Sequence, residues 1–201
     1  MKNTNNHNKK RQLIRREIRE KRNSLSKEVQ KTASERLIIS FFQHTALPAN
    51  ARIGCYLSND GELNTSLLIQ ELWRQSHTIY LPLIHPFNST NLLFQKYEKT
   101  SPMKANRYGI LEPKLNCSEV CPVSQLDILL LPLVAFDSMG NRMGMGGGYY
   151  DRTLSSYYRD KWPAPKLIGL AHDCQKVEML PTETWDVPLQ AILTPTTFYH
   201  W

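Results

Sequence analysis

Short apolar blocks and longer amphipathic stretches alternate along this chain. Ile128, Leu129, Leu130 and Leu131 form an unbroken apolar run, the length expected of a strand buried on both faces of a parallel sheet. Pro132 has no N–H to give to a central ladder, so regular pairing is expected to end there. Further strands are predicted over 52–58, 78–84, 91–97, 166–172 and 191–195. Between them the spacing turns helical. A basic helix is predicted over 9–22, with Ile14 and Ile18 beside a face that carries Arg11, Arg15, Arg19 and Arg22. Ser24 or Ser26 can cap a second helix, in which Ala33, Leu37, Ile38 and Phe41 are spaced for burial before Leu47-Pro48 breaks it. A third is predicted over 65–75, turning Leu68, Leu72 and an edge of Trp73 toward the sheet. A fourth begins at Tyr149, with Tyr150, Leu154 and Tyr157 on one face. Strands separated by helices predict an α/β fold, a three-layer sandwich with a mainly parallel sheet flanked by helices. Residues 101–124, with Pro102, Pro113 and Pro122, are expected to be irregular, and 161–165 a linker. The asparagine-rich residues 1–8 are expected to be a disordered leader, ahead of a single domain over 9–201.

A chain of 201 residues suits one such domain with a substantial core. Its net charge of +7 favours anionic ligands, nucleotides and nucleic acid alike. The first residues lack the apolar core of a signal peptide, and the longest apolar run, 128–136, is too short to span a bilayer. Cys55, Cys117, Cys121 and Cys174 make no C-x-x-C pair and have no metal spacing, so free thiols in a reducing cytoplasm are expected.

The candidate chemistry follows the apolar run. Residues 137–148 are rich in glycine (Gly140, Gly144, Gly146, Gly147, Gly148) and contain Arg142, and a helix is predicted immediately after them. Strand, glycine-rich loop and helix together present free backbone N–H groups to an anion, and side chains would keep phosphate oxygens away from such a backbone. Arg142 adds a permanently charged fork suited to phosphate or carboxylate. Asp151, on the first helical turn, would repel bare phosphate, so its natural task is to hold Mg²⁺ against it. Tyr149 and Tyr150 can supply an aromatic wall and a hydroxyl donor. Neither G-x-G-x-x-G nor Gly-Lys-Ser/Thr can be laid on these glycines, which excludes the Rossmann and Walker A loops. The bland alternative is a glycine-rich turn that binds nothing.

The string Gly140-Asn141-Arg142-Met143-Gly144-Met145-Gly146-Gly147-Gly148-Tyr149-Tyr150-Asp151 resembles the signature G-N-R-L-G-x-G-x-G-Y-Y-D of the 5-formyltetrahydrofolate cyclo-ligase family, also called methenyltetrahydrofolate synthetases. It departs from that pattern only at Met143, and the resemblance extends from Arg11 onward. It implies an ATP-dependent cyclisation of 5-formyltetrahydrofolate to 5,10-methenyltetrahydrofolate, releasing ADP and phosphate through a phosphorylated formyl group. It implies Arg142 and Asp151 as catalytic residues. For ATP it implies Arg11, Arg15, Arg142, Met143, Gly144, Met145, Gly146, Gly147, Gly148, Tyr149 and Tyr150, with Arg11 standing where the family has lysine and Lys10 a possible substitute. Leu57-Ser58-Asn59-Asp60-Gly61-Glu62 matches a family arrangement whose Leu and Glu line the folate site. Leu57 and Glu62, with Met145, Gly146, Gly147, Gly148 and Tyr149, are therefore implied substrate contacts, although Glu62 by itself reads as an ordinary loop acid. Asp151 and Asp186 are the implied Mg²⁺ ligands, and the flanks of Pro113 implied pocket walls. The expected partners are ATP and the formylfolate, with or without further glutamates on its tail, and neither nucleic acid nor membrane. A cytoplasmic monomer is expected.

Other readings of the residues differ in class. The basic stretch 9–22 could be a nucleic-acid-binding face, although it lacks interleaved aromatics, and a sugar-phosphate isomerase on a similar framework would need no ATP. His172-Asp173, at the end of a predicted strand, reads as a hydrogen-bonded pair rather than a catalytic base.

Overall fold

The apolar run at 128–131 is buried on both faces, and its side chains divide between two cores. Ile128 and Leu130 pack with Leu37, Phe41, Leu68 and Leu72, whereas Leu129 and Leu131 pack with Leu154, Val187 and Leu189. A strand with period-2 side chains and helices on both sides has no solvent face to make polar, which is why the pattern is continuous. The computed structural model describes residues 2–159 and 165–201. Its helices are α1 (Lys2–Asn23), α2 (Lys27–His44), α3 (Ser66–Arg74) and α4 (Tyr149–Arg159). The strands are β1 (Arg52–Gly54), β2 (Thr78–Ile84), β3 (Leu92–Tyr97), β4 (Met103–Ala105), β5 (Leu111–Pro113), β6 (Val120–Cys121), β7 (Ile128–Pro132), β8 (Ala135–Phe136), β9 (Arg142–Met143), β10 (Lys166–Leu170), β11 (Ala191–Leu193) and β12 (Phe198–His200).

The main sheet has the order β12-β11-β10-β7-β1-β2-β3-β6. Its centre, β11-β10-β7-β1-β2, is parallel throughout, with Ile53 opposite Ile128 and Ile168 opposite both Leu130 and Ala191. The edges β12, β3 and β6 are antiparallel. Helices α2 and α3 cover one face and α4 the other, so the expected three-layer sandwich is what forms. Gly169 lies where strands and loop crowd together. A Cβ there would sit 2.6 Å from Leu189 and 2.7 Å from Leu133.

Ser26, rather than Ser24, caps α2, accepting from Val29 N. Pairing of β7 ends at Pro132, opposite Leu170. β1 is shorter than its apolar pattern, because after Cys55 the chain turns away through Asp60 and Gly61, both at positive φ. Residues 1–8, expected to be disordered, differ most: α1 is continuous from Lys2, and His7 meets Glu183 at 2.9 Å. Extending a formed helix costs far less than nucleating one, so a polar leader can continue it. The 161–164 part of the expected linker, and Met1, lie outside the described residues. The stretch 101–124 is not wholly irregular; it contains the β4–β5 hairpin and β6. Its three- and two-residue strands are too short to show alternation.

Helix α1 stands apart from the sheet. Ile18, with Ile14 beside it, packs on Val134, Ala135, Met143 and Leu180, so the basic helix is clamped against the small β8–β9 hairpin that carries the glycine loop.

Candidate active site

The loops that follow β1, β2 and β7 leave the carboxyl ends of parallel neighbours, where open α/β sheets collect ligands. Together with the β4–β5 hairpin they enclose a cavity of about 630 Å³. Its wall includes Leu57, Glu62, Arg142, Gly144, Met145, Gly147, Gly148, Tyr149, Tyr150 and Asp151. Most of the residues singled out in the sequence therefore meet at one place.

Arg142 is held there by the fold rather than by the loop alone. It sits on β9 opposite Phe136, is 5% exposed, and donates through Nη2 to Asp151 Oδ1. The turn leading to it is built on buried Asp137, which accepts from Met139 N at 3.0 Å, Asn141 N at 3.2 Å and Leu180 N at 3.0 Å. Burial opposes ionisation of Asp137, but these bonds and the Asn141 amide outweigh it and hold the carboxyl below its ordinary value. The loop beyond needs its glycines: Gly146 lies at φ +101° and Gly148 at +65°, conformations that disfavour a Cβ.

Glu62 lies beside buried Tyr56. Burial pushes its pKa up to about 7, against the N–H of Asn59, which donates to Oε2 at 3.0 Å, and the charge of Arg22. A carboxylate left short of donors in a cavity is prepared to accept N–H groups from a ligand.

Arg22 went unnoticed in the sequence as anything but part of a basic face, yet it is fully buried. Its Nε donates to Asp60 O at 2.7 Å, Nη1 to Leu133 O at 3.2 Å and Nη2 to Asp60 Oδ2 at 2.7 Å. It thereby ties α1 to the Glu62 loop and to the exit of β7. Asp60 also takes Arg19, and these guanidinium groups hold its pKa down to about 2. His172 does not pair with Asp173, which accepts from Thr196 instead. The imidazole is buried, and burial with the charge of Arg22 pushes its pKa down. Tyr108 and Glu112 of the hairpin also line the cavity. A signal for the hairpin was present in Asn106-x-x-Gly109: the Asn106 side chain accepts from Tyr108 N and Ile110 N, and Gly109 turns at φ +75°. Pro113 itself pairs with Met103, while its flank Ile110 to Glu112 faces the cavity.

The two arginines expected at a nucleotide diverge. Arg15 donates to Gly144 O at 2.8 Å and lines an open groove with Arg16, Arg19, Met145 and Gly146. Burial and the charge of Arg11 lower its pKa, so an anion in the groove would relieve it. Arg11 is turned elsewhere, to Pro181 O at 2.7 Å and to Asp186 at 2.8 and 3.2 Å. Lys10 is exposed. Asp186 lies next to the cavity wall, since Val187 N donates to Asp151 Oδ1 at 3.3 Å. Among the described residues no group of three or more His, Cys, Asp or Glu could hold a metal. Two carboxylates do fit Mg²⁺, which keeps waters and takes the rest of its oxygens from phosphate. Among the described residues, Arg142 and Val187 N both donate to Asp151 Oδ1, whereas both oxygens of Asp186 are engaged by Arg11. The cysteines are unpaired, as their spacing predicted, and among the described residues no helix is long and apolar enough to cross a membrane.

The 5-formyltetrahydrofolate cyclo-ligase family matches residues 7–195. The 5-formyltetrahydrofolate cyclo-ligase of Haemophilus influenzae is 50% identical, aligned over 92% of this chain and 97% of its own. That of Escherichia coli K12 is 44% identical, over 92% of this chain and all of its own. Among solved structures, the 5,10-methenyltetrahydrofolate synthetase of Aquifex aeolicus superposes with a TM-score of 0.79 at 25% identity, covering 94% of this chain and 92% of that one.

Proposed function

The chain belongs to the 5-formyltetrahydrofolate cyclo-ligase family, and we propose how its own residues carry out the ATP-dependent closure of 5-formyltetrahydrofolate to 5,10-methenyltetrahydrofolate. One observation carries the assignment of roles. The glycine loop is a shared wall: Met145 lines both the cavity that holds Glu62 and the groove that holds Arg15, Arg16 and Arg19. A folate in the first and a nucleotide in the second approach each other across that loop.

Glu62, with Leu57 against the ring, accepts from the ring N–H and amino groups of the pterin, which points the formyl group at the loop. The triphosphate lies along Arg15 and the arginine groove and reaches Arg142 over the N–H groups of residues 144–148. The formyl oxygen takes the γ-phosphoryl group and ADP leaves. N10 then attacks the activated carbon, its proton is lost, and phosphate departs as the ring closes. Phosphoryl transfer asks chiefly for alignment and neutralisation of charge, so no nucleophile from the protein is needed. Arg142 supplies fixed positive charge at the transferring group, and Asp151 holds Arg142 in place. Asp151, with Asp186 behind it, would hold Mg²⁺, and the ion would supply further positive charge beside the phosphates. Arg11 acts in this scheme through Asp186, releasing it when the nucleotide arrives. The enzyme works as a cytosolic monomer, and its folate carries one or more glutamates.

The test is direct. Purified protein with ATP, Mg²⁺ and 5-formyltetrahydrofolate should generate methenyl absorbance and ADP in equal amounts. Chelating the metal should stop turnover without changing the thermal melt. Methenyl formation without ADP, or full activity in chelator, would remove the scheme.

A further inference from the structure

Two arginines on the rim of the cavity play no part in the chemistry above. Arg107, at the tip of the β4–β5 hairpin, donates to Ser89 O at 2.9 Å and to the Tyr149 hydroxyl. Arg152, on the first turns of α4, donates to Thr90 O at 3.0 Å and to Gly147 O. Their guanidinium carbons lie 5.9 and 5.6 Å from the centroid of the same Tyr149 ring. Tyr149 in turn shares a hydrogen bond with Tyr108 at 2.9 Å. Three separate segments thus bring two exposed positive charges to one edge of the opening. Among the described residues the arginines paired with a carboxylate are Arg11, Arg19, Arg22, Arg74 and Arg142, and neither Arg107 nor Arg152 has such a partner. Each guanidinium uses two of its five N–H donors on neutral oxygens, which fix its direction and leave the rest for an anion. The phenol between them is hydrogen-bonded to both Tyr108 and Arg107. Burial opposes its ionisation, yet Tyr108 and Arg107 hold the Tyr149 pKa below its ordinary value.

The cavity also has a direction. Glu62 stands beside buried Tyr56, whereas Tyr108 at the other side is 57% exposed. A folate whose ring is held by Glu62 must leave past Tyr108 and Tyr149, and what leaves is its glutamate. We propose that Arg107 and Arg152 form the subsite for the carboxylates of the substrate's glutamate arm, with additional γ-linked glutamates following along the same rim; this rests on the placement of the pterin at Glu62. The other anion available is the nucleotide, and its groove, which meets the cavity at Arg19 and Met145, is lined by Arg15, Arg16 and Arg19 and by neither rim arginine.

The experiment compares 5-formyltetrahydrofolate with 5-formyltetrahydropteroate, which lacks the glutamate, in the unmodified enzyme, R107M/R152M and R107K/R152K. Two partly exposed charge contacts are worth about tenfold together. The ratio of KM values, glutamate-free over intact, should fall by about tenfold in the methionine variant and recover in part in the lysine variant. In the unmodified enzyme KM for the intact folate should rise with salt more steeply than KM for the truncated one. An equal change for both substrates, or a rise confined to the KM for ATP, overturns the subsite. If the unmodified enzyme handles both substrates equally well, the subsite fails while the proposed reaction stands. If it converts neither, both fail.

Discussion

Replacing Glu62 with glutamine keeps the shape of the side chain and removes its charge. In the folded protein the carboxyl titrates at about 7 instead of 4.5, mainly because burial penalises the ionised form. A rise of this size means that ionised Glu62 costs the fold about 3 kcal/mol at 1.36 kcal/mol for each pKa unit. The open cavity lets water reach one side, so about 2 kcal/mol is the more realistic figure. The sign follows from proton binding. The folded state holds the proton more tightly than the unfolded chain, so stability contributed by the neutral form is fully present below pH 4.5. It is lost as pH rises to about 7 and is constant above that. Glu62→Gln should therefore match the parent at pH 4.5 and exceed it by about 2 kcal/mol at pH 8, or about 4–8 °C in melting temperature. Its activity should move the other way. A glutamine presents an N–H where the pterin offers N–H groups, and kcat/KM should fall by about 100-fold. Denaturant titrations at the two pH values, with steady-state rates on the same preparations, make the comparison. A variant no more stable at pH 8 than the parent would refute the claim that this carboxylate is strained by its surroundings. Retained activity would refute its role in binding the ring.

Arg142→Ala and Asp151→Asn should each lower turnover more than tenfold, a demand of about 1.4 kcal/mol on a charged contact, while far-ultraviolet circular dichroism stays unchanged. Near-normal rates in both would take the glycine loop out of the mechanism. Arg22→Met leaves the Asp60 carboxylate and the Leu133 carbonyl without their buried donor and should cost about 3–5 kcal/mol in urea unfolding. A loss below about 1 kcal/mol would mean that the guanidinium does not join α1 to the Glu62 loop.

Much of the architecture was legible in the residues because it follows from local spacing. The unbroken apolar run of β7, the strands on either side of it and the amphipathic stretches of α2 and α3 required the sandwich that forms. The glycines and Arg142 likewise marked the loop that lines the cavity, since bare backbone beside a guanidinium is a local feature of the chain. What spacing could not reveal is which partner a charge takes when distant segments meet. Arg11, Arg15, Arg19 and Arg22 share one helical face, yet one binds Asp186, one the glycine loop, and two Asp60, the last of them fully buried. The same holds for Glu62, which reads as an ordinary loop acid in the sequence and is desolvated by burial in the folded protein. Hydrophobic period and turn chemistry are properties of neighbours along the chain, so sequence alone determined the layers and the loop. Ion pairing and desolvation depend on separations in space between residues far apart in order, and only the tertiary structure decided those.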